Sequence, residues 1–269
     1  MNYRHGYHAG NFADVVKHIA LVAILLHLRK KDAAFSVVDS HGGRGAYDLG
    51  GEQAGKTGEA EKGVARLSDL SGDMPEALST YLSLVKSESL YPGSPLIAAR
   101  LLRPQDRLTA IEKRAQEFAV LQETLAPFRN ATAEQGDGYT RAAKLVPPPM
   151  RRGLVLIDPP FEAPDEFSSL ARALSEMIRR FATGIYLAWY PVKSQAEADA
   201  FTGEVLAAGV AKALTVDAAI DAPDGKLGRA ALLVINPPYG FDAAMQAGAA
   251  LIAPRLEARI RTQWVAGSE

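Results

Sequence analysis

Short apolar runs rich in β-branched side chains recur along this chain with helix-length segments between them: AFSVVD (34–39), RLTAIE (107–112), GLVLID (153–158), GIYLAW (184–189) and ALLVIN (231–236). Such alternation predicts an α/β fold, a mostly parallel, doubly wound sheet with helices on both faces. Weaker runs at 130–135 and 212–217 bring the expected count to seven strands. Ahead of the first strand, Phe12 to Leu28 is apolar on nearly every side, the pattern of a buried helix. With 269 residues, 48% of them apolar, the chain can bury one large core, so a single domain over 1–269 is expected. There is no cysteine, which removes disulfides and thiolate zinc sites and fits a cytoplasmic protein. The longest clean apolar run, IALVAILL (19–26), has 8 residues and is too short to span a bilayer.

One spacing is abnormal. In a plain dinucleotide-type fold the acid that binds a ribose lies roughly 20 residues beyond the glycine loop. Here Asp39, at the end of the first strand, and Glu112, at the end of the second, are 73 positions apart. Residues 50–93, turn-rich at both ends, are therefore read as a helical insertion subdomain. Directly after the first strand, VVDSHGGRG places Gly42, Gly43 and Gly45 where backbone must turn sharply and approach a ligand. Glu112 can accept both hydroxyls of a ribose, and Asp137-Gly138 follows the third strand, where an adenine would lie.

Two segments end an apolar run with an acid or amide, two prolines and an aromatic: LVLIDPPF (154–161) and LLVINPPYG (232–240). This arrangement suits an exocyclic amine, whose lone pair is delocalised into its ring and must be drawn toward tetrahedral geometry. The Asp158 carboxylate and the Pro159 carbonyl, on rigid backbone, are placed to accept the two amino hydrogens, and Phe161 offers a flat face to a base swung out of its stack. A hydride-transfer enzyme has no use for such a pair, which favours S-adenosylmethionine over a pyridine nucleotide as cofactor. Asn236-Pro237-Pro238-Tyr239 ends the last strand, which runs antiparallel in sheets of this kind, so it is expected at the wrong edge and is read as a structural turn.

The opening NYRHGYHAGNFADVVKHIAL (2–21), with VVDSHGGRGAYDLG (37–50), YPGSPLIAARLLRPQD (91–106) and RRGLVLIDPPFE (151–162), resembles the bacterial 23S ribosomal RNA adenine-N6 methyltransferases of the RlmJ type over nearly the whole chain. The resemblance implies a monomeric Rossmann-like class I methyltransferase with a helical insertion, which uses S-adenosylmethionine to make N6-methyladenine in 23S rRNA. It implies that His18 and His41 line the cofactor pocket with Gly43, Ser94, Glu112, Asp137, Gly138 and Asp158, that Asp158 is the catalytic acid, and that Tyr3 approaches the target base. Arg4 and Lys17 would contact RNA or the pocket, and Phe161 stands where the family often has tyrosine. The histidines His5, His8 and His18 lack a carboxylate at metal-ligand spacing, so no metal is expected. Basic clusters at Arg29-Lys30-Lys31, Arg151-Arg152 and Arg179-Arg180 read equally as solvated flanks or phosphate contacts. The rival readings are DNA adenine or protein amide methylation, which share the pocket, and a catalytically silent RNA-binding assembly factor on the same fold.

Overall fold

The computed structural model describes residues 8–51, 58–223 and 225–269. Tyr3, Arg4 and His5 lie outside the described residues. The chain begins with α1 (Phe12–Arg29), whose side chains are buried on almost every turn. Asn11 caps it by accepting from the Asp14 amide at 2.9 Å. β1 (Ser36–Asp39) follows, then β2 (Ala46–Tyr47), α2 (Glu59–Lys62), α3 (Glu76–Ser87), β3 (Tyr91–Pro92) and α4 (Ser94–Leu101). Next come β4 (Arg107–Glu112), α5 (Ala115–Leu125), β5 (Ala131–Gln135), α6 (Gly138–Leu145), β6 (Gly153–Ile157), α7 (Glu166–Arg180), β7 (Ile185–Pro191) and α8 (Gln195–Leu206). β8 (Ala213–Ile220), β9 (Arg229–Ile235), α9 (Phe241–Leu256) and β10 (Ala258–Ala266) complete the order.

The sheet runs β10-β8-β9-β7-β6-β1-β4-β5. The five strands from β5 to β7 are parallel, and β9 is antiparallel to both of its neighbours. The expected count of seven is corrected to eight: β10 pairs antiparallel with β8 from Ala258 to Ala266. Its sequence alternates, but Arg259, Arg261 and Gln263 occupy the outward positions and few large apolar residues face inward, so its signal is weak.

Strand side chains divide with period two. Val37, Leu154, Leu156, Leu232 and Val234 face one core with α1, α3, α4 and α9. Val38, Val155, Ile157, Leu233 and Ile235 face the other with α6, α7 and α8. The insertion is helical over its described part, and it belongs to the first core: Leu67, Leu78 and Tyr81 are fully buried among residues of α1. Its end returns to the glycine loop, where β3 pairs with β2. Among the described residues no helix is long and apolar enough to cross a membrane.

Candidate active site

At the carboxyl ends of the parallel strands lies a cavity of about 600 Å³. Its wall includes every described residue that was expected to hold a cofactor: His18, His41, Gly43, Ser94, Glu112, Asp137, Gly138 and Asp158. These arrive from α1, the end of β4, the loops after β1, β5 and β6, and the first turns of α4 and α6. Gly43 has φ +58°, a conformation natural to glycine, and a Cβ there would stand 2.3 Å from the Tyr47 hydroxyl. Its amide donates to Glu112 Oε2 at 3.0 Å, while Oε1 accepts from the Arg114 amide at 2.7 Å. Burial pushes the Glu112 carboxyl above its ordinary range. At Gly138 a Cβ would meet the Ser40 carbonyl at 2.1 Å and His41 Nε2 at 2.8 Å, so only glycine lets α6 begin this close to the glycine loop.

His41 is held by Ser40, Oγ to Nδ1 2.8 Å, and lies edge-on to Tyr139. Burial lowers its pKa to about 4, so the ring is neutral at neutral pH. His18 Nδ1 is 2.9 Å from the Tyr91 hydroxyl, which is 3.1 Å from that of Tyr81 on α3. The insertion thereby fixes the orientation of a ring in the cavity wall. Asp137 caps α6, accepting from Thr140 N and Oγ1 at 3.1 Å each. Partial burial acts to raise its pKa, but these bonds and Lys113 hold it below its ordinary value.

Lys17, expected to contact RNA or the pocket, lines the pocket. Lys17 is 3% exposed and donates to Asp14 Oδ1 at 2.7 Å and to Asp158 Oδ2, so its ammonium cannot reach a phosphate outside. Burial acts to lower its pKa, but Asp14 and Asp158 together raise it well above the ordinary value. Spacings of three and four place Asp14, Lys17 and His18 on one face of α1. Asp39 completes the group: its register partner on β6 is Leu156, two positions before Asp158. Ser94 and the His41 amide bond it, yet Asp39 Oδ2 has no hydrogen-bond partner among the described residues. Burial, with the nearby Asp158, pushes its pKa up to about 6. Among the described residues three carboxylates, Asp14, Asp39 and Asp158, thus gather round one ammonium.

The proline segment differs from expectation in detail. Pro160, not Pro159, lines the cavity; Pro159 is buried. Phe161, at φ +48°, lies outside the lining, and its ring meets Phe167 and Trp189 at centroid distances of 4.9 and 5.9 Å. Asn236 sits at the opposite edge of the sheet, since Ile235 pairs with Tyr186 at the start of β7 whereas Ile157 pairs with Ala188 further along it. Its amide donates to the carbonyls of Ala182 and Gly184 at 2.9 and 2.7 Å. His8 bonds to Glu59 and His18 to Tyr91, so these two histidines have separate partners. Sequence reasoning assigns neither Asp14 nor Asp39 to the pocket, Asp39 serving there only to mark the end of the first strand. The available signal was an aspartate three residues before a lysine inside an otherwise apolar helix.

The RsmJ family model, described as ribosomal RNA large subunit methyltransferase D, RlmJ, matches residues 32–266. The ribosomal RNA large subunit methyltransferases J of Haemophilus influenzae and Escherichia coli K12 are 37% and 38% identical to this chain, each over 91% of it and 90% of their own length. A solved structure from Legionella pneumophila has a TM-score of 0.89 and 29% identity, covering 97% of this chain and 99% of that one.

Proposed function

Because this chain belongs to the family of RlmJ-type ribosomal RNA large subunit methyltransferases, we propose that it moves a methyl group from S-adenosylmethionine to the N6 amino group of an adenine in 23S rRNA. The observation that carries the finer reading is the convergence of Asp158 and Glu112 on one cavity, with Asp39 beside Asp158. The residues fit the cofactor. Glu112 is placed to accept from ribose hydroxyls, and Asp137-Gly138 bounds the adenine side. An α-ammonium would donate to Asp39 Oδ2, which has no hydrogen-bond partner among the described residues.

When bound, the cofactor supplies an electrophilic methyl group on sulfur. The chain's part is to position and polarise the amine. Lys17 occupies Asp158 Oδ2 and holds the carboxylate in one orientation, which leaves Oδ1 to accept an amino hydrogen. The Pro159 carbonyl, in the peptide bond to the cavity-lining Pro160, would take the second, so that the two acceptors together orient the nitrogen lone pair. The amine, once methylated, would lose a proton, which Asp158 would accept and pass to solvent. Phe161 and its aromatic neighbours flank the approach of a flipped base, with Tyr3 and Arg4 proposed to contact it. We take the chain to act as a monomer and a single domain, without a metal. Methyl transfer from labelled cofactor to unmodified 23S rRNA, duplex DNA and a protein extract, read by nucleoside mass spectrometry, tests the reading. N6-methyladenosine confined to the RNA is expected; label in DNA or protein would overturn it.

A further inference from the structure

Among the described residues the cavity wall carries Glu112, Glu117, Asp137, Asp158, Glu162 and Glu166 against Lys17, Lys113 and Arg114, and Arg44 pairs with Glu117. The other end of the sheet has the reverse character. The segments 29–35, 102–107 and 146–152, which lead into β1, β4 and β6, contain seven lysines and arginines against two aspartates, a surplus of five on a chain whose net charge is −1. Of the two acids, Asp106 is fully buried and paired with Arg103 at 2.9 Å.

This face is built rather than loosely decorated. Arg103 and Arg152 flank the Phe35 ring at 5.5 and 5.7 Å and donate to the carbonyls of Lys31 and Ala33 at 2.7 to 3.1 Å, which stiffens the loop after α1. Arg29, Lys30, Lys31, Arg107 and Arg151 are left exposed. At its edge stands the NPPY segment that the transfer chemistry does not use. Tyr239 is 82% exposed, while Asn236 behind it is tied to two carbonyls. A cleft of about 120 Å³ joins Tyr239 to Lys30 and His27, and His27 Nδ1 is buried without a hydrogen-bond partner among the described residues.

We propose that this amino-end face is a second RNA-docking surface, where Lys30, Lys31, Arg107 and Arg151 hold backbone phosphates and a base stacks on Tyr239. The inference rests on the reading of 23S rRNA as substrate and adds where that RNA is held. The seven residues of β7 put the two ends of the sheet about 20 Å apart. A long folded RNA can occupy both ends at once, and a short fragment around the target cannot.

The test compares Lys30→Gln/Lys31→Gln/Arg151→Gln, and separately Tyr239→Ala, with the unchanged protein on a full-length 23S transcript and on the shortest fragment that still accepts methyl groups. For the triple variant we expect KM on the transcript to rise about tenfold or more, and the slope of log Kd against log salt to become shallower by roughly 2. Tyr239→Ala should weaken transcript binding about fivefold or more. Cofactor affinity, kcat and KM on the fragment should not change, and unchanged cofactor affinity also certifies the fold. An unaltered salt slope, or equal losses on transcript and fragment, would overturn the proposal. So would reduced binding to phosphatidylserine vesicles with RNA binding intact, which would assign the face to anionic lipid. Direct binding to the transcript is measured without cofactor, so a protein that binds RNA here but methylates something else refutes only the functional reading.

Discussion

Asp158 and Lys17 are 141 positions apart in sequence and share one hydrogen bond in a buried place, so they must respond differently to substitution. Asp158→Ala removes the acceptor for the amine and should lower kcat at least about a hundredfold, with cofactor affinity, read by calorimetry, changed far less. Lys17→Met strands Asp14 and Asp158 without their cation. A loss of about 3–5 kcal/mol in urea unfolding is expected, partly recovered in Lys17→Met/Asp14→Asn. If Lys17→Met were as stable as the parent, the buried triad would not exist as described. Asp39 gives a pH signature. Its pKa is raised to about 6, so its contribution to stability is full below the unfolded value near 3.8 and is lost as pH rises through about 6. Ionisation of Asp39 also supplies the charge that a cationic ligand needs. Cofactor affinity should therefore fall by up to about tenfold per pH unit below 6, and Asp39→Asn should flatten that profile. Asp158, Glu112 and Gly138 were legible because strand ends announce themselves in sequence. The Lys17 pairing was not, because a periodic pattern records which residues are buried and not which distant partner neutralises them.

At the scale of elements, sequence patterning located seven of the eight strands of the large sheet, β4 without error at either end and the others to within three residues. β10 escaped because an edge strand buries one face only and carries arginines on the other. Beside the ladder with β8 and the packing of Ile260 and Trp264 on the core, Asp242, in the first turn of α9, ties it by accepting from Trp264 Nε1 at 3.0 Å and by bonding Thr262. Asp242→Ala leaves the half-buried indole N–H without its acceptor and should cost about 1–3 kcal/mol. It should also increase protease cleavage near residues 257–266, while cofactor binding at the far side of the sheet stays constant. Cofactor affinity falling in step with stability would mean that β10 and the cavity are coupled. The turn after β9 follows the same logic. Asn236 has φ +52°, and its side chain satisfies two carbonyls, so Asn236→Ala should lower stability and leave kcat intact.

Across the whole molecule the helical insertion decides how many cooperative units exist. One spacing, Asp39 to Glu112, is what suggests an insertion, but that spacing says nothing of its relation to the rest, since an insertion can fold apart from its host or share its core. Here Leu67, Leu78 and Tyr81 join the core that α1 and the strands build. Tyr91, at its return, bonds the cavity residue His18, and Glu59 on α2 accepts from Asn11 at 3.0 Å ahead of α1. Burying a large apolar side chain contributes about 1.5–3 kcal/mol, so the shared residues couple the two parts by far more than thermal energy. Calorimetry should accordingly show one transition with equal calorimetric and van't Hoff enthalpies, and saturating cofactor should shift it as a unit. Tyr81→Phe removes only a hydroxyl, and should shift that single transition slightly while weakening cofactor binding through His18. Two resolved transitions, with only one moved by cofactor, would mean that the insertion is a separate domain and that the tyrosine pair does not orient the ring.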